Sequence, residues 1–161
     1  LQATAGLRMT AVEKRLERLG HSVPEVAAPV AVYVPAVRSG NLVFTSGQLP
    51  MADGVLMGTG KVGDGVTPEQ AHAMAEQCVL NAIAAIGAVI GDLDRVTRVV
   101  KVVGFVASDP GFTGQPAVIN GASELLGAAF GDAGVHARSA VGVSVLPLDA
   151  PVEVEVIVEI S

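Results

Sequence analysis

Arg138 stands near the start of VHARSAVGVSV (135–145), a run otherwise built of small and β-branched residues suited to burial. A permanent positive charge there must be solvated, paired with an acid, or kept for a ligand. On a strand, its neighbours on the same face are Ala140, Gly142 and Ser144, side chains small enough to leave room above the sheet. A guanidinium beside such room suits the bidentate grip of a carboxylate. The structural alternative is an ion pair with a glutamate of the last segment, VEVEVIVEI, where Glu153, Glu155 and Glu159 share a face opposite Val152, Val154, Val156, Val158 and Ile160. Glu155 and Glu159 read as the wet face of an antiparallel sheet. If the two segments form a hairpin about PLDAP, Glu153 lies opposite roughly Ser144, and Arg138 is about 20 Å away at ~3.3 Å per residue. The two could not then share a ligand within one chain, but could across a subunit interface.

Other chemistry-bearing residues are less organised. GTGKVG (58–63) is formally G-x-G-x-x-G, but the helix caps begin at Thr67, too late for a phosphate on that helix terminus. Val62 after Lys61 removes the P-loop hydroxyl, so the segment reads as a flexible connector. His21, His72 and His136 are scattered without metal-ligand spacing, so no metal is expected, and His72 is expected to face solvent. Cys78, the single cysteine, falls on an apolar helix face and is expected to be packing. No nucleophile elbow marks a Ser–His–Asp triad.

The elements that must position these residues follow from pattern and caps. Thr10 and Glu13 suggest a capping box for a short helix with Val12, Leu16 and Leu19 on one side. The next segment, HSVPEVAAPVAVYVPAV, has three prolines and is expected to run extended over the surface. NLVFTSGQLP and GVLM are expected strands joined by a turn at PMAD and Gly54. Thr67-Pro68-Glu69-Gln70 starts a helix with an N-cap, a proline in the first turn and a capping-box glutamine. DRVTRVVKVVGFVAS is a long strand, and Pro116 to about Phe130 a helix, before the two final strands. The expected order after the first helix is ββαβαββ, an α+β two-layer sandwich with two helices on one face of a largely antiparallel sheet.

Composition bounds the partners. The chain has 161 residues, the size of one domain, with half of them hydrophobic. A net charge of −6 and 3% aromatics disfavour a nucleic-acid surface. Only 16% of residues are charged, which suggests that an oligomer hides apolar surface. CVLNAIAAIGAVI is thirteen residues, contains Asn81 and is too short to span a bilayer, so no membrane partner is expected. Cysteine usage fits a reduced, cytoplasmic setting. Residues 1–8 lack a signal-peptide core and are expected to be a leader before Met9, as a cloning remnant or an upstream start. Residues 9–31 form an N-terminal helix and Pro-rich arm, and 32–161 the main domain.

RSGNLVFTSGQLP, the helix from TPEQA, VVKVVGFVAS, AVINGASELLGAAFG and ARSAVGVSVLPLDAPVEVEVIVEI together resemble the RidA/YjgF family, also called the L-PSP endoribonuclease family. The resemblance runs from about Val32 to the end, and the ARSAVGV…LP…VEVE ending is its most specific part. It implies a chorismate-mutase-like fold, a homotrimer with clefts between subunits, and hydrolysis of reactive 2-imino or enamine acids to 2-oxo acids and ammonia. No cofactor or metal is implied.

By the same resemblance Arg138 binds the substrate carboxylate and Glu153 orients or activates water. Tyr33, Ser46, Gly47 and Asn120 are implied as substrate-binding residues. Ala140 replaces the archetype's cleft cysteine, Pro35 replaces a polar residue, and the N-terminal helix and arm are additions typical of a divergent branch. Two other readings stand beside the hydrolase: a non-catalytic binder of small carboxylates, and an endoribonuclease.

Overall fold

The computed structural model describes residues 8–26 and 32–161. Most of the expected leader and residues 27–31 of the Pro-rich arm lie outside the described residues. Helix α1 (Ala11–Arg18) is capped by the Thr10 hydroxyl, which accepts the Glu13 N–H at 3.1 Å. Only half of the expected capping box forms, because the Glu13 carboxylate accepts from the Thr10 hydroxyl and not from its backbone. The Asp94 carboxylate takes the next two free donors, the N–H groups of Ala11 and Val12, at 2.9 and 3.2 Å. Val12 and Leu16 are buried against the rest of the protein, whereas Leu19 is 53% exposed, since it caps the helix end and leaves the apolar stripe.

A five-stranded sheet carries the domain. Its strands are β1 (Ala36–Ser39), β2 (Leu42–Thr45), β7 (Val96–Ala107), β8 (Ala137–Val143) and β9 (Val152–Ile160), in the spatial order β1-β2-β9-β7-β8. Two short ladders stand apart: β3 (Met51–Ala52) with β4 (Val55–Leu56), and β5 (Lys61–Val62) with β6 (Gly65–Val66). Helices α2 (Pro68–Ile90) and α3 (Gln115–Phe130) pack on one face. The order ββαβαββ therefore holds for the main sheet, with NLVFTSGQLP supplying β2 as expected, but its partner strand is not the expected GVLM. Ala36–Ser39, at the end of the Pro-rich segment, is free of proline and pairs with β2 around Gly40. The GVLM segment pairs with β3 in the small ladder instead.

The α2 capping box forms as the sequence indicates, with Gln70 N–H on the Thr67 hydroxyl and Thr67 N–H on the Gln70 side chain. At 23 residues α2 is longer than its apolar run suggests, and it has the length and composition of a membrane span. Two-thirds of that window (67%) is buried inside the protein, the setting of a core helix. Val152, Val154, Val156, Val158 and Ile160 are all buried beneath the helices, as their alternation requires.

The last two strands do not form a hairpin. β8 pairs with β7 in parallel and β9 pairs with β7 antiparallel, so β7 lies between them. α3 supplies the crossover that a parallel β7–β8 pair needs. The PLDAP turn bridges over the end of β7, with Leu148 and Asp149 at φ 58° and 59°. Lys61 of the glycine-rich segment pairs with the Asp149 carboxylate, and Gly60 N–H donates to its carbonyl at 2.9 Å. That segment is an ordered brace on the turn, not a free connector.

Candidate functional site

Glu153 lies on the sheet face away from the helices. It pairs with Phe105 on β7, and Phe105 with Val141 on β8. The same face carries Val37, Phe44, Val103 and Ile157 besides Glu155 and Glu159, so it is not the simple wet face that alternation suggests. Val37, Phe44 and Val141 are 51%, 36% and 44% exposed. The Glu153 carboxylate rests against Gly47, where a β-carbon would overlap its Oε1. It accepts no hydrogen bond from the described residues. Burial first, and the charge of Glu155 second, push its carboxyl above the ordinary glutamate value. Behind it, the buried Cys78 thiol donates to the Val152 carbonyl, and burial, then the charge of Glu153, push that thiol well up. Cys78 is inert packing, as its helix position indicates.

Gly47 also borders a cavity of about 580 Å³, lined among others by Tyr33, Gln48, Glu25 and Asn81. Tyr33 is 44% exposed and lines it. Ser46 is nearby, but its hydroxyl donates to the Val34 carbonyl at 2.6 Å and its N–H to the Pro35 carbonyl at 2.8 Å. It staples the arm's end to β2. Sequence reasoning missed Gln48 and Asn81. Gln48 is buried and exchanges both backbone hydrogen bonds with Val154, which holds Gly47 beside β9. Asn81 donates to the Leu49 and Met51 carbonyls, both at 3.0 Å, and so ties the cavity wall to α2. The signal was a lone amide within an apolar helix, where an unpaired polar group would be costly.

Arg138 occupies another place. Its strand position pairs with Val102, a core residue, so its side chain lies on the helix face. The room expected above Ala140 and Gly142 is taken by α3: Ala140 packs on the core, and Gln115 lies over Gly142. Arg138 Nη1 donates to Asn120 Oδ1 at 2.8 Å and to Ser123 Oγ at 3.2 Å, and Nη2 to the Pro116 carbonyl at 3.4 Å. Asn120 and Arg138, both sequence candidates, are thus together. Nε takes no acceptor among the described residues and Nη2 makes a single hydrogen bond, so donors remain for a carboxylate. No described glutamate pairs with Arg138.

Arg138 and Glu153 do not meet. Two strand spacings and three residues of offset separate them, roughly 14 Å between Cα atoms. They also lie on opposite faces. The ~20 Å hairpin distance is therefore corrected, yet one small ligand still cannot touch both in one chain. His72 is partly covered, within 3.5 Å of both Glu76 and Glu124, and not simply solvent-facing. No metal-binding group of three ligating side chains occurs among the described residues.

Two helices on one face of a five-stranded mixed sheet define an α+β protein of chorismate-mutase-like architecture. Residues 13–160 match the family model described as "YjgF/chorismate mutase-like, putative endoribonuclease", and the chain belongs to this YjgF/RidA family. It is 46% identical over 151 residues to Protein TCP17 of Trypanosoma cruzi, covering 93% of this chain and 94% of that one. It superposes on the protein Atu1372 of Agrobacterium tumefaciens with a TM-score of 0.89 at 47% identity, over 94% of this chain and 93% of that one. The YjgF gene product of E. coli superposes at 0.60 with 30% identity, over 84% and 93%. RidA from an Antarctic Psychrobacter gives 0.59 at 30% identity, over 84% and 94%.

Proposed function

We propose that this protein hydrolyses reactive 2-imino acids, and enamines that tautomerise to them, to 2-oxo acids and ammonia. The reaction takes place in clefts between the subunits of a homotrimer and uses no cofactor. The observation that carries this reading is Glu153: a partly desolvated carboxylate, raised in pKa, held against Gly47 without a donor among the described residues. Such a group is suited to accept a proton near neutral pH.

An iminium carbon is already electrophilic, so water needs positioning and a base more than a Lewis acid. Water adds to carbon 2 while Glu153 takes its proton. Glu153 returns that proton to the amine nitrogen, then takes the hydroxyl proton as the C–N bond breaks; ammonia leaves, and that last proton passes to it, giving ammonium and the 2-oxo acid. Water and iminium in thus balance ketone and ammonium out. Arg138, through Nε and Nη2, holds the substrate carboxylate from a neighbouring subunit. Tyr33, Gly47 and the cavity beside them receive the substrate side chain. The exposed apolar positions Val37, Phe44 and Val141 favour burial of the open sheet face between copies.

The family description also names endoribonuclease activity. A net charge of −6 disfavours a polyanion, and on the open sheet face three glutamates outnumber Arg98 and Lys101. Ammonia release from freshly generated 2-aminoacrylate tests the proposal. The wild type should exceed the spontaneous rate, and Glu153→Gln should fall back to it. A wild type that only matches the spontaneous rate contradicts hydrolysis. Saturable binding of 2-oxobutanoate without turnover would leave the carboxylate-binder reading in its place.

A further inference from the structure

The hydroxyl of Ser123 on α3 lies 2.9 Å from His136 Nε2, and His136 Nδ1 lies 2.6 Å from the Gly134 carbonyl. A carbonyl only accepts, so Nδ1 carries the ring proton of the neutral imidazole and Nε2 is left as an acceptor. The Ser123 hydroxyl therefore donates to His136, and its lone pairs face Arg138 Nη1 at 3.2 Å. Donors thus run one way, from guanidinium to hydroxyl to imidazole to backbone carbonyl, the arrangement in which hydrogen bonds reinforce one another. A serine within a helix ordinarily bonds back to a carbonyl of the preceding turn. Ser123 turns instead toward the segment that leads into β8.

We infer that Ser123 and His136 are positioning residues for Arg138. They hold Nη1 against α3, so that the guanidinium is fixed with Nε and Nη2 still able to donate to a carboxylate. Asn120 fixes the other Nη1 proton, and without the serine the guanidinium can rotate about its last bonds. His136 acts through Ser123: the Gly134 carbonyl sets its tautomer, and the tautomer sets which way the hydroxyl points. The inference rests on the proposed carboxylate-binding role of Arg138, and it concerns binding only, so it can be tested without turnover.

The test is calorimetric titration of 2-oxobutanoate into the wild type, Ser123→Ala, Ser123→Thr, Arg138→Ala and the Ser123→Ala/Arg138→Ala pair. Thermal midpoints are recorded for each. Loss of one hydrogen bond to a charged group should weaken binding by about 10- to 100-fold in Ser123→Ala. Ser123→Thr, which keeps the hydroxyl, should stay within about twofold of the wild type. In the Arg138→Ala background, Ser123→Ala should change nothing further, because the interaction it supports is gone. His136→Leu should resemble Ser123→Ala, and His136→Gln, which keeps an acceptor, should recover part of the loss. Equal weakening by Ser123→Ala in both backgrounds, or none in either, overturns the relay. A wild type that shows no saturable binding overturns the role of Arg138 itself, and the relay with it.

Discussion

The two ends of the proposed site, on opposite faces of the sheet, are completed to different degrees. Around Arg138, α3 supplies Asn120, Ser123 and the Pro116 carbonyl, so that three hydrogen bonds from the guanidinium are met among the described residues. Around Glu153 the chain supplies apolar surface, a second carboxylate and a glycine, but no donor among the described residues. A charge met by its own chain is held in place. A carboxylate taken partly out of water without a donor has a raised proton affinity and weakens the folded state at neutral pH. The first arrangement suits binding and the second proton transfer.

Glu153→Gln probes this contrast with the largest effect. Removal of a general base typically costs 10²- to 10⁴-fold, so ammonia release should fall by about that range. Stability should move the other way. Because the folded state holds the Glu153 proton more tightly than the unfolded chain, that contribution is fully present below the ordinary glutamate pKa. It is lost as pH rises through the raised value. The thermal midpoint of Glu153→Gln should therefore exceed that of the wild type by more at pH 8 than at pH 4, as calorimetric scans would show. A constant difference would place Glu153 in water.

Gly47→Ala attacks the same end sterically. The new β-carbon meets the Glu153 carboxylate, and overpacking of this kind costs about 1–3 kcal/mol, with activity lost as the carboxylate shifts. In a Glu153→Ala background the same change should cost little, as chemical denaturation would reveal. Arg138→Lys tests the other end more gently: a point charge replaces the fork, so KM should rise about tenfold while kcat changes little. Smallest is Thr67→Ala at the distant α2 cap, which should cost about 1 kcal/mol of stability and leave activity alone.

Local elements were legible in the sequence because local chemistry sets them. Thr67-Pro68-Glu69-Gln70 announces a helix start, and strict alternation in β9 announces which side is buried. Strand neighbours were not legible in that way. Alternation says which face a residue takes, not which strand lies beside it, so the end of the chain read as a hairpin although β7 separates β8 from β9. The short Ala36–Ser39 strand was hidden behind the prolines that precede it. Arg138 stood out as a charge in a run suited to burial, and Gly47 was reached through the family motif, yet neither route could show that α3 fills the space above β8. Ser123 and His136 are thirteen residues apart on different elements, and only the packing of α3 against the start of β8 brings them together.

The central claim is that one chain cannot complete the site, since Arg138 and Glu153 lie on opposite faces of its sheet. Co-refolding equal amounts of Glu153→Gln and Arg138→Ala, each inactive alone, tests this most directly. If each cleft joins Glu153 of one subunit to Arg138 of the next, random assembly leaves about one cleft in four intact. Roughly a quarter of wild-type ammonia release should then return. A mixture no more active than its separate parents would contradict a shared site.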